Sequence, residues 1–263
     1  MSTPQDHPVE LGVYRAELHV HTVLSPCAQV EMIPPLIVRE AVERGINLLA
    51  ITDHNATANI AAVQQAARQA GLVVLPGMEL QTQEEVHVLC LFDSLEQAQA
   101  LQETVTDHLP DVPNRADYFG EQFVVDETGD FIRREERLLI NSTSLSIKAA
   151  WEIVAGLGGL LIPAHVNRKA FGLLNNLGFV PTDFPVEVLE ISRHLKPGEA
   201  TQKFPQLSGY PLIQSGDVHG LDDFLGVMEF RLARPTITEI RQAIHQTGGR
   251  SYRILSQENA EVK

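Results

Sequence analysis

The sequence predicts an α/β fold whose strands close into a barrel, and three observations support this. Short apolar runs alternate with helical stretches along the chain, which favours parallel strand pairing. About seven such runs occur, a number that favours barrel-like closure, with an open doubly wound sheet as the alternative. The Gly-x-Gly-x-x-Gly pattern of a dinucleotide-binding sheet does not follow the first strand.

The individual elements are predicted from their periodicity and from flanking turn residues. The strands are expected at 13–18, 47–51, 72–75, 86–92, 159–163, 186–191 and 211–214, with one more at 227–230. The helices are expected at 34–44, 59–70, 94–109, 144–157 and 236–246.

The segment at about 110–145 interrupts this alternation. Two short runs, 122–125 and 131–134, flank turn residues and predict an inserted hairpin. The expected organisation is therefore a polar N-terminal tail at 1–12, one barrel domain at 13–250 that contains this hairpin and helix insertion, and a polar C-terminal tail at 251–263.

Composition limits the classes of function. No apolar run reaches the roughly 18 residues of a spanning helix, so no membrane partner is expected. Two cysteines, Cys27 and Cys90, cannot form a disulfide framework, and the first residues lack a secretory signal, which indicates a cytoplasmic protein. The net charge of −14 argues against stable binding of duplex nucleic acid. A small phosphorylated substrate or a short oligonucleotide remains as the expected partner.

Residue types that bind metals recur on or just past the predicted strands, the edge where active sites of parallel α/β folds form. Seven of the ten histidines and three acids lie there, namely His19, His21, His54, His87, His165, His194, His219, Asp53, Glu79 and Asp217. Residues i and i+2 of an extended segment point the same way, so His19/His21 and Asp217/His219 can each aim two ligands at one point. Imidazole and carboxylate are the usual ligands of Zn, Mn and Fe(II).

Other interpretations exist for single residues of this set. A lone histidine in an apolar strand is more often a core residue with a satisfied hydrogen bond, and His87 taken alone fits that interpretation. A single His-x-His pair also occurs by chance. Asp53 is either an acceptor that orients an imidazole or a cap on the following turn. Independent core histidines have no reason to favour strand ends, so the recurrence favours a metal centre.

In order along the chain, these residues resemble the motifs of the PHP (polymerase and histidinol phosphatase) superfamily. The matching segments span nearly all of 15–230 and are His19-Val-His21-Thr, Ile51-Thr-Asp-His54, Pro76-Gly-Met-Glu79, Val86-His87-Val, Pro163-Ala-His165 and Gly216-Asp-Val-His219. The resemblance implies a distorted seven-stranded (β/α) barrel of the PHP/TIM-like type. It also implies hydrolysis of phosphoesters with two to three divalent transition metals, Zn, Mn or Fe.

The resemblance further implies three metal sites. Their ligands would be His19, His21, Glu79 and Asp217 for the first, Glu79, His87 and His165 for the second, with Glu79 bridging, and His54 with His219 for the third. The family usually supplies Asp or His where this chain has Cys27. A thiolate is an acceptable ligand of Zn or Fe, and the alternative is a free loop cysteine beside a weak third site.

A water that bridges the metals, held by Glu79, Asp217, His19 and His21, is the expected nucleophile. Basic residues near the rim, Arg168, Lys169 and Arg193, are candidates for binding the phosphate. Arg168 and Arg193 are preferred because a guanidinium binds phosphate through two parallel hydrogen bonds, although for each a solvated surface is an equal alternative. His194 is a candidate general acid.

Three functions remain open from the sequence. The leading one is hydrolysis of phosphomonoesters of a small molecule or nucleotide, which the net charge favours. The second is a 5′-3′ exonuclease or oligonucleotidase of the same fold. The third, from another class, is a non-catalytic regulatory metal-binding protein, which the nearly complete set of ligand types disfavours.

Overall fold

The computed structural model describes residues 10–256, so residues 1–9 and 257–263 of the two predicted tails lie outside the described residues. The strands of the described part are β1 (Gly12–Val20), β2 (Leu48–Ile51), β3 (Val73–Gln81), β4 (His87–Leu91), β5 (Phe123–Val125), β6 (Phe131–Arg134), β7 (Leu160–Pro163), β8 (Leu189–Ile191), β9 (Leu212–Gln214), β10 (Met228–Leu232) and β11 (Ser251–Ile254). Its α-helices are α1 (Pro34–Glu43), α2 (Ile60–Ala67), α3 (Leu95–His108), α4 (Ala116–Phe119), α5 (Ile147–Gly156), α6 (Leu173–Asn176), α7 (Ala200–Lys203) and α8 (Ile237–Ile244).

Seven strands form a ring, which confirms the predicted distorted barrel. One sheet has the order β11-β10-β1-β2-β3-β4-β7, and β8 with β9 forms a separate parallel pair. Two contacts join this pair to the sheet. The amide of Val166, just past β7, donates to the carbonyl of Glu190 in β8 at 2.9 Å. Val20 at the end of β1 forms a parallel bridge with Val218, just past β9. The ring therefore runs β1-β2-β3-β4-β7-β8-β9.

The expectation of parallel pairing throughout is wrong for β4, β10 and β11. β4 is antiparallel to both β3 and β7, and β10 is antiparallel to β1 and β11. Residues 82–86, between β3 and β4, are too few for the crossover that parallel strands require, so the two strands form a hairpin. His87 therefore begins a strand instead of ending one. It still lies at the same barrel edge, because it pairs with Gln81 at the end of β3.

The strand β3 is also longer than predicted and carries Glu79 within it. The sequence predicts that this strand ends at Leu75, just before Pro76 and Gly77. In the structure Gly77 remains in the strand, where a Cβ atom would lie 2.9 Å from side-chain carbons of both Leu91 and Thr52. Glycine thus permits a close approach between strands instead of ending one.

The helices lie within or close to the predicted ranges, and several begin at predicted polar residues. Ser94 forms a capping box with Gln97 at the start of α3, and Ser146 accepts a hydrogen bond from the Ala149 amide at the start of α5. The hairpin strands β5 and β6 occupy the predicted insertion. No helix of the described chain is long and apolar enough to cross a membrane.

The prediction of a C-terminal tail from residue 251 is wrong for β11. Its residues pair antiparallel with β10, and the amide of Leu255 donates to the carbonyl of Val227 at 2.7 Å. Tyr252 and Ile254 are half-buried against the core cluster that contains β10. This alternation of Ser-Tyr-Arg-Ile has the period of a strand with one buried face.

We expect a chain that ends at residue 250 to be less stable than one that ends at residue 256. The shorter chain loses the β10–β11 ladder and the partial burial of Tyr252 and Ile254, which together contribute roughly 2–4 kcal/mol. Urea unfolding followed by circular dichroism measures the difference. Equal unfolding free energies for the two chains would show that β11 does not contribute to the fold.

Candidate metal centre

The predicted ligands converge at one end of the barrel. The strands β1, β3 and β4 supply His19, Glu79 and His87, and segments just past strands supply the others, His21, His54, His165, Asp217 and His219. Six of these eight side chains are at most 6% exposed, and only Asp217 and His219 are partly exposed. The barrel thus buries a dense set of titratable groups at this end.

The carboxylate of Glu79 lies at the centre of this set. Nitrogen atoms of five imidazoles lie 2.9–3.3 Å from its oxygens, those of His19, His21, His54, His87 and His165. Burial would raise the pKa of Glu79, but the surrounding histidines, His87 first, hold it well below its ordinary value. Glu79 is therefore a buried anion enclosed by imidazoles.

Three groups of side chains could each hold a metal ion, because one ligand atom of each member lies within 4.8 Å of the others. They are His19, His21, Glu79 and Asp217; His54, Glu79 and His87; and His21, His54 and His219. The first has the membership expected from the sequence. The other two differ from the expectation, because His54 also joins Glu79 and His87, and His21 joins the third group. His165 lies outside all three groups, with its Nε2 atom 3.1 Å from Glu79 Oε1.

The outward ring nitrogens of His19 and His21 are hydrogen-bonded away from the centre. His19 Nδ1 lies 3.0 Å from Glu190 Oε2, and His21 Nδ1 lies 2.9 Å from Ser25 Oγ. An ionised carboxylate only accepts, and the Ser25 hydroxyl gives its own proton to Asp53 at 2.8 Å. Both imidazoles are therefore the donors through Nδ1. Their Nε2 atoms face the centre with a free lone pair.

The rings of His87 and His219 are fixed in the same manner. His87 Nε2 lies 3.3 Å from Gln81 Oε1, and the Gln81 amide nitrogen donates to Ser142 at 2.8 Å, which sets the amide orientation. His219 Nδ1 lies 2.9 Å from the backbone carbonyl of Asp217. Each ring can donate one N–H to a carbonyl and keep the other nitrogen for a cation, as metal-binding histidines usually do.

Several atoms at the centre are close together without forming hydrogen bonds. His19 Nε2, His21 Nε2, His54 Nδ1 and Glu79 Oε2 are buried and have no hydrogen-bond partner in the described structure. Each of these nitrogens nevertheless lies 2.9–3.3 Å from a Glu79 oxygen. Facing lone pairs at this distance repel each other unless positive charge lies between them, and buried polar atoms without partners are rare. The residues present therefore fit divalent transition metals.

The acids of the site attract protons to His19 and His54. Burial lowers the pKa of His19, but nearby acids, Glu79 first, raise it well above its ordinary value. Burial also lowers the pKa of His54, whereas Glu79 and then Cys27 raise it to about 9. The centre therefore attracts positive charge, and protons and metal ions compete for the same lone pairs.

A cavity of about 220 Å³ opens beside the metal centre. Three of the residues predicted to act on the phosphate line it, Arg168, Arg193 and His194. Arg168 pairs with Asp217 Oδ2, and Arg193 Nη1 lies 2.7 Å from Asp223 Oδ1. Acids thus hold both guanidinium groups at the cavity wall, whereas the exposed Lys169 lies outside the lining.

The profile of the PHP domain matches residues 17–154, more than half of the chain. The chain belongs to the PHP family. The 5′-3′ exoribonuclease Rnm of Escherichia coli is 36% identical over 80 residues, which cover 28% of this chain and 26% of Rnm. The Salmonella typhimurium Rnm matches to the same extent. The aligned region thus spans about a quarter of the length of these relatives.

Solved structures show the same PHP fold. The lesion-specific endonuclease PfuEndoQ of Pyrococcus furiosus has a TM-score of 0.66 at 20% identity, over 92% of this chain and 58% of PfuEndoQ. An endonuclease Q complex with a 27-mer duplex that carries an abasic lesion has a TM-score of 0.66 at 19% identity, over 91% of this chain and 58% of that one. A putative metal-dependent phosphoesterase of Bifidobacterium adolescentis has a TM-score of 0.52 at 19% identity, over 84% of this chain and 89% of that one.

In this PHP domain, Asp53 reaches the ring of the candidate ligand His21 only through Ser25. Its oxygens accept hydrogen bonds from the Thr22 amide at 2.7 Å, the Thr22 hydroxyl at 2.8 Å and the Ser25 hydroxyl at 2.8 Å. Ser25 in turn contacts the His21 ring.

Cys27 is exposed, and its sulfur contacts His54, although Cys27 is absent from the three groups described above.

Two buried acids of the site were missed in the sequence. Glu190 in β8 accepts from His19 and from the His165 amide, each at 3.0 Å. Glu17 in β1 accepts from the amides of residues 216, 225 and 226 at 2.7–2.9 Å, and burial raises the pKa of Glu17 to about 7. The available signal was a glutamate inside an apolar strand, in Ala16-Glu17-Leu18 and Leu189-Glu190-Ile191.

The backbone is strained at two of the candidate ligand positions. His165 has a φ of +29° and Asp217 a φ of +50°. Non-glycine residues in such conformations cost about 1–3 kcal/mol and persist only where the surroundings enforce them. The hydrogen bonds that Glu190 makes to the His165 amide and Glu17 makes to the Gly216 amide lie at these two turns. The acids therefore help to hold the strained turns in place.

Ser25→Ala should weaken metal binding, because His21 loses the acceptor that fixes its tautomer. We expect about a 10–100-fold lower metal affinity, measured by competition with a chromophoric chelator. Ser94→Ala is the control, because it removes a helix cap far along the chain and should cost about 1 kcal/mol of stability without changing metal affinity. Equal metal affinity in wild type and Ser25→Ala would contradict the role assigned to the Asp53–Ser25–His21 chain.

Proposed function

We propose that this PHP domain hydrolyses phosphoesters with the help of two to three divalent transition metals, Zn, Mn or Fe. The observation that carries the proposal is the set of buried histidine nitrogens around Glu79 that have no hydrogen-bond partner. In His19, His21 and His87, the ring nitrogen that points away from the centre is held by a separate hydrogen-bond acceptor. A structural metal site would be closed by four protein ligands. Here the ligand groups share members and open onto a cavity, which supports a catalytic role over a regulatory one.

The proposed roles of the ligands are those that the PHP motifs imply, and the first set coincides with one of the three groups of the described structure. His19, His21, Glu79 and Asp217 would hold the first metal, and Glu79 with His87 and His165 would hold the second. His54 and His219 would hold the third, together with Cys27. Bound divalent metals activate water and neutralise the charge of a phosphate group.

The cavity residues would bind and protonate the substrate. Arg168 and Arg193 present guanidinium groups that suit phosphate oxygens. His194 is exposed at the same cavity and would protonate the leaving oxygen. Lys169 is exposed beside Arg168 and would add longer-range attraction for the phosphate.

The substrate is proposed to be a phosphomonoester of a nucleotide or small molecule, or the end of a short oligonucleotide. The cavity of about 220 Å³ favours a small group. The match to Rnm over 80 residues supports the alternative, a 5′-3′ exonuclease. The expected exclusion of duplex nucleic acid is not supported, because an endonuclease Q of similar fold has been solved with a 27-mer duplex. We also propose a cytoplasmic location, because the reducing environment there would keep the Cys27 thiol reduced.

The double variant His19→Ala/His21→Ala should lose the activity, because it removes two ligands of the first metal. The assay measures bound Zn, Mn and Fe and the hydrolysis of phosphomonoesters, nucleoside bisphosphates and short DNA and RNA oligomers. We expect at least about a 100-fold loss of metal-dependent hydrolysis, and retention of activity in the control His245→Ala, whose side chain is 51% exposed beside Glu187. Equal rates for wild type and the double variant on every substrate would refute the proposal.

Cys27→Ser should remove a sulfur ligand from the third site. In the Co(II)-substituted protein we expect a near-ultraviolet thiolate-to-metal charge-transfer band that Cys27→Ser abolishes. Cys90→Ala is the control, because Cys90 is fully buried in β4 and burial raises its thiol pKa. A band that persists in Cys27→Ser would show that Cys27 is a free loop cysteine.

A further inference from the structure

We propose that the cavity beside the metal centre recognises a sugar hydroxyl adjacent to the scissile phosphate, through Glu190 and Ser215. The ligand class is a ribose phosphate whose hydroxyl lies next to the phosphoester, as in RNA or a ribonucleoside 3′-phosphate. This inference rests on the proposed function and specifies the substrate of the same site.

The first observation is an unused oxygen of Glu190. This side chain is 1% exposed and lines the cavity. Its Oε2 atom is occupied by His19 Nδ1 and the His165 amide, whereas Oε1 is buried without a hydrogen-bond partner. Glu190 belongs to none of the three metal-ligand groups of the described chain. A buried carboxylate oxygen without a donor is costly, so this atom is suited to a donor that a ligand brings.

The second observation is that two further polar atoms at the same cavity lack partners. Ser215 is 2% exposed and its hydroxyl has no hydrogen-bond partner. His165 Nδ1 is also buried and without a partner, while Nε2 of that ring faces Glu79. Both residues line the cavity. With Nε2 directed at a metal site, the imidazole proton is on Nδ1, so three residues that line the cavity carry an unpaired acceptor, an unpaired donor and an unpaired hydroxyl.

A hydroxyl group matches this combination better than the other polar groups of small ligands. It donates one hydrogen bond, which suits Glu190, and it accepts others, which suits Ser215 and His165. An ammonium group can only donate, and Arg168 and Arg193 at the same cavity would repel it. A second phosphate would face the carboxylate of Glu190 and be repelled by it.

The size and charge of the cavity indicate where this hydroxyl lies in the substrate. Its volume of about 220 Å³ is below the roughly 300 Å³ of a typical pocket for a whole small-molecule ligand. It therefore accepts a phosphate and part of a sugar. Because two arginines suited to phosphate line the same small space, the recognised hydroxyl must be close to the phosphate. In a nucleotide chain that group is the ribose 2′-hydroxyl, which DNA lacks.

The test compares substrates that differ only in this hydroxyl. Metal-loaded wild type is assayed with adenosine 3′-phosphate against 2′-deoxyadenosine 3′-phosphate, and with RNA against DNA tetramers of one sequence. We expect kcat/KM to favour the ribose form by about tenfold or more, since a site built to bond a hydroxyl rejects the analogue that lacks it.

Two variants and one control assign the preference to residues. Ser215→Ala and Glu190→Gln should each lower the ribose-to-deoxyribose ratio of kcat/KM about fivefold or more. Metal content is measured alongside, because Glu190 also contacts His19. Ser208→Ala is the matched control, because this serine is exposed outside the cavity lining, and the ratio should not change. A wild-type ratio near one, or a ratio that either variant leaves unchanged, overturns the proposal.

The design separates this inference from the proposed function. Hydrolysis of both sugar forms at equal rates would leave the phosphoesterase intact and overturn only the hydroxyl recognition. If neither form is hydrolysed with any metal, the proposed function fails, and calorimetric binding of the same two 3′-phosphates then decides the inference. About tenfold tighter binding of the ribose form would support it, and equal binding would overturn it.

Discussion

The buried carboxylate of Glu79 is the constraint on which the rest of the structure depends. An ionised carboxylate that is 1% exposed costs several kcal/mol unless positive charge surrounds it. Five imidazoles within 3.3 Å of its oxygens meet this need only if they carry protons or share metal ions with it. The barrel end must therefore bring residues from distant parts of the chain to one point, and the β3–β4 hairpin contributes both Glu79 and His87 directly.

Barrel closure and ligand placement use the same contacts. Glu17 in β1 binds three amides of the segment 216–226, which follows β9 and carries Asp217 and His219. Glu190 in β8 binds His19 of β1 and the amide of His165, just past β7. The part of the ring where β8 and β9 form a separate two-stranded sheet is thus joined to its neighbours by buried carboxylates. The same carboxylates therefore support both barrel closure and the placement of the candidate ligands.

The sequence predicted the parts of this arrangement that depend on local patterns. A few neighbouring residues determine the i, i+2 spacing of His19 and His21 and the ends of the apolar runs. The ring of seven strands, and the position of the candidate ligands at one end of the barrel, could therefore be predicted from them. The direction of β4 follows from the short connection 82–86 between β3 and β4, and the sequence analysis did not recognise this connection because it predicts that β3 ends at Leu75. The assignment of His54 and the orienting roles of Ser25 and Glu190 depend on distances across the barrel. β11 was missed because its pairing uses backbone atoms and only two half-buried side chains.

The acidity of the chain is consistent with a phosphate substrate once the charges at the cavity are considered together. Arg168 is paired with Asp217, and Arg193 with Asp223, so without metal the cavity offers a phosphate little net positive charge. Asp217 also faces His19 and His21 through Oδ1, at 3.3 and 3.5 Å. On the proposed function, a cation held by that oxygen would withdraw negative charge from Asp217 and weaken its hold on Arg168. Metal binding would then create the attraction for phosphate in two ways, by its own charge and by freeing a guanidinium group. Substrate affinity should accordingly follow metal occupancy, whatever the net charge of the chain.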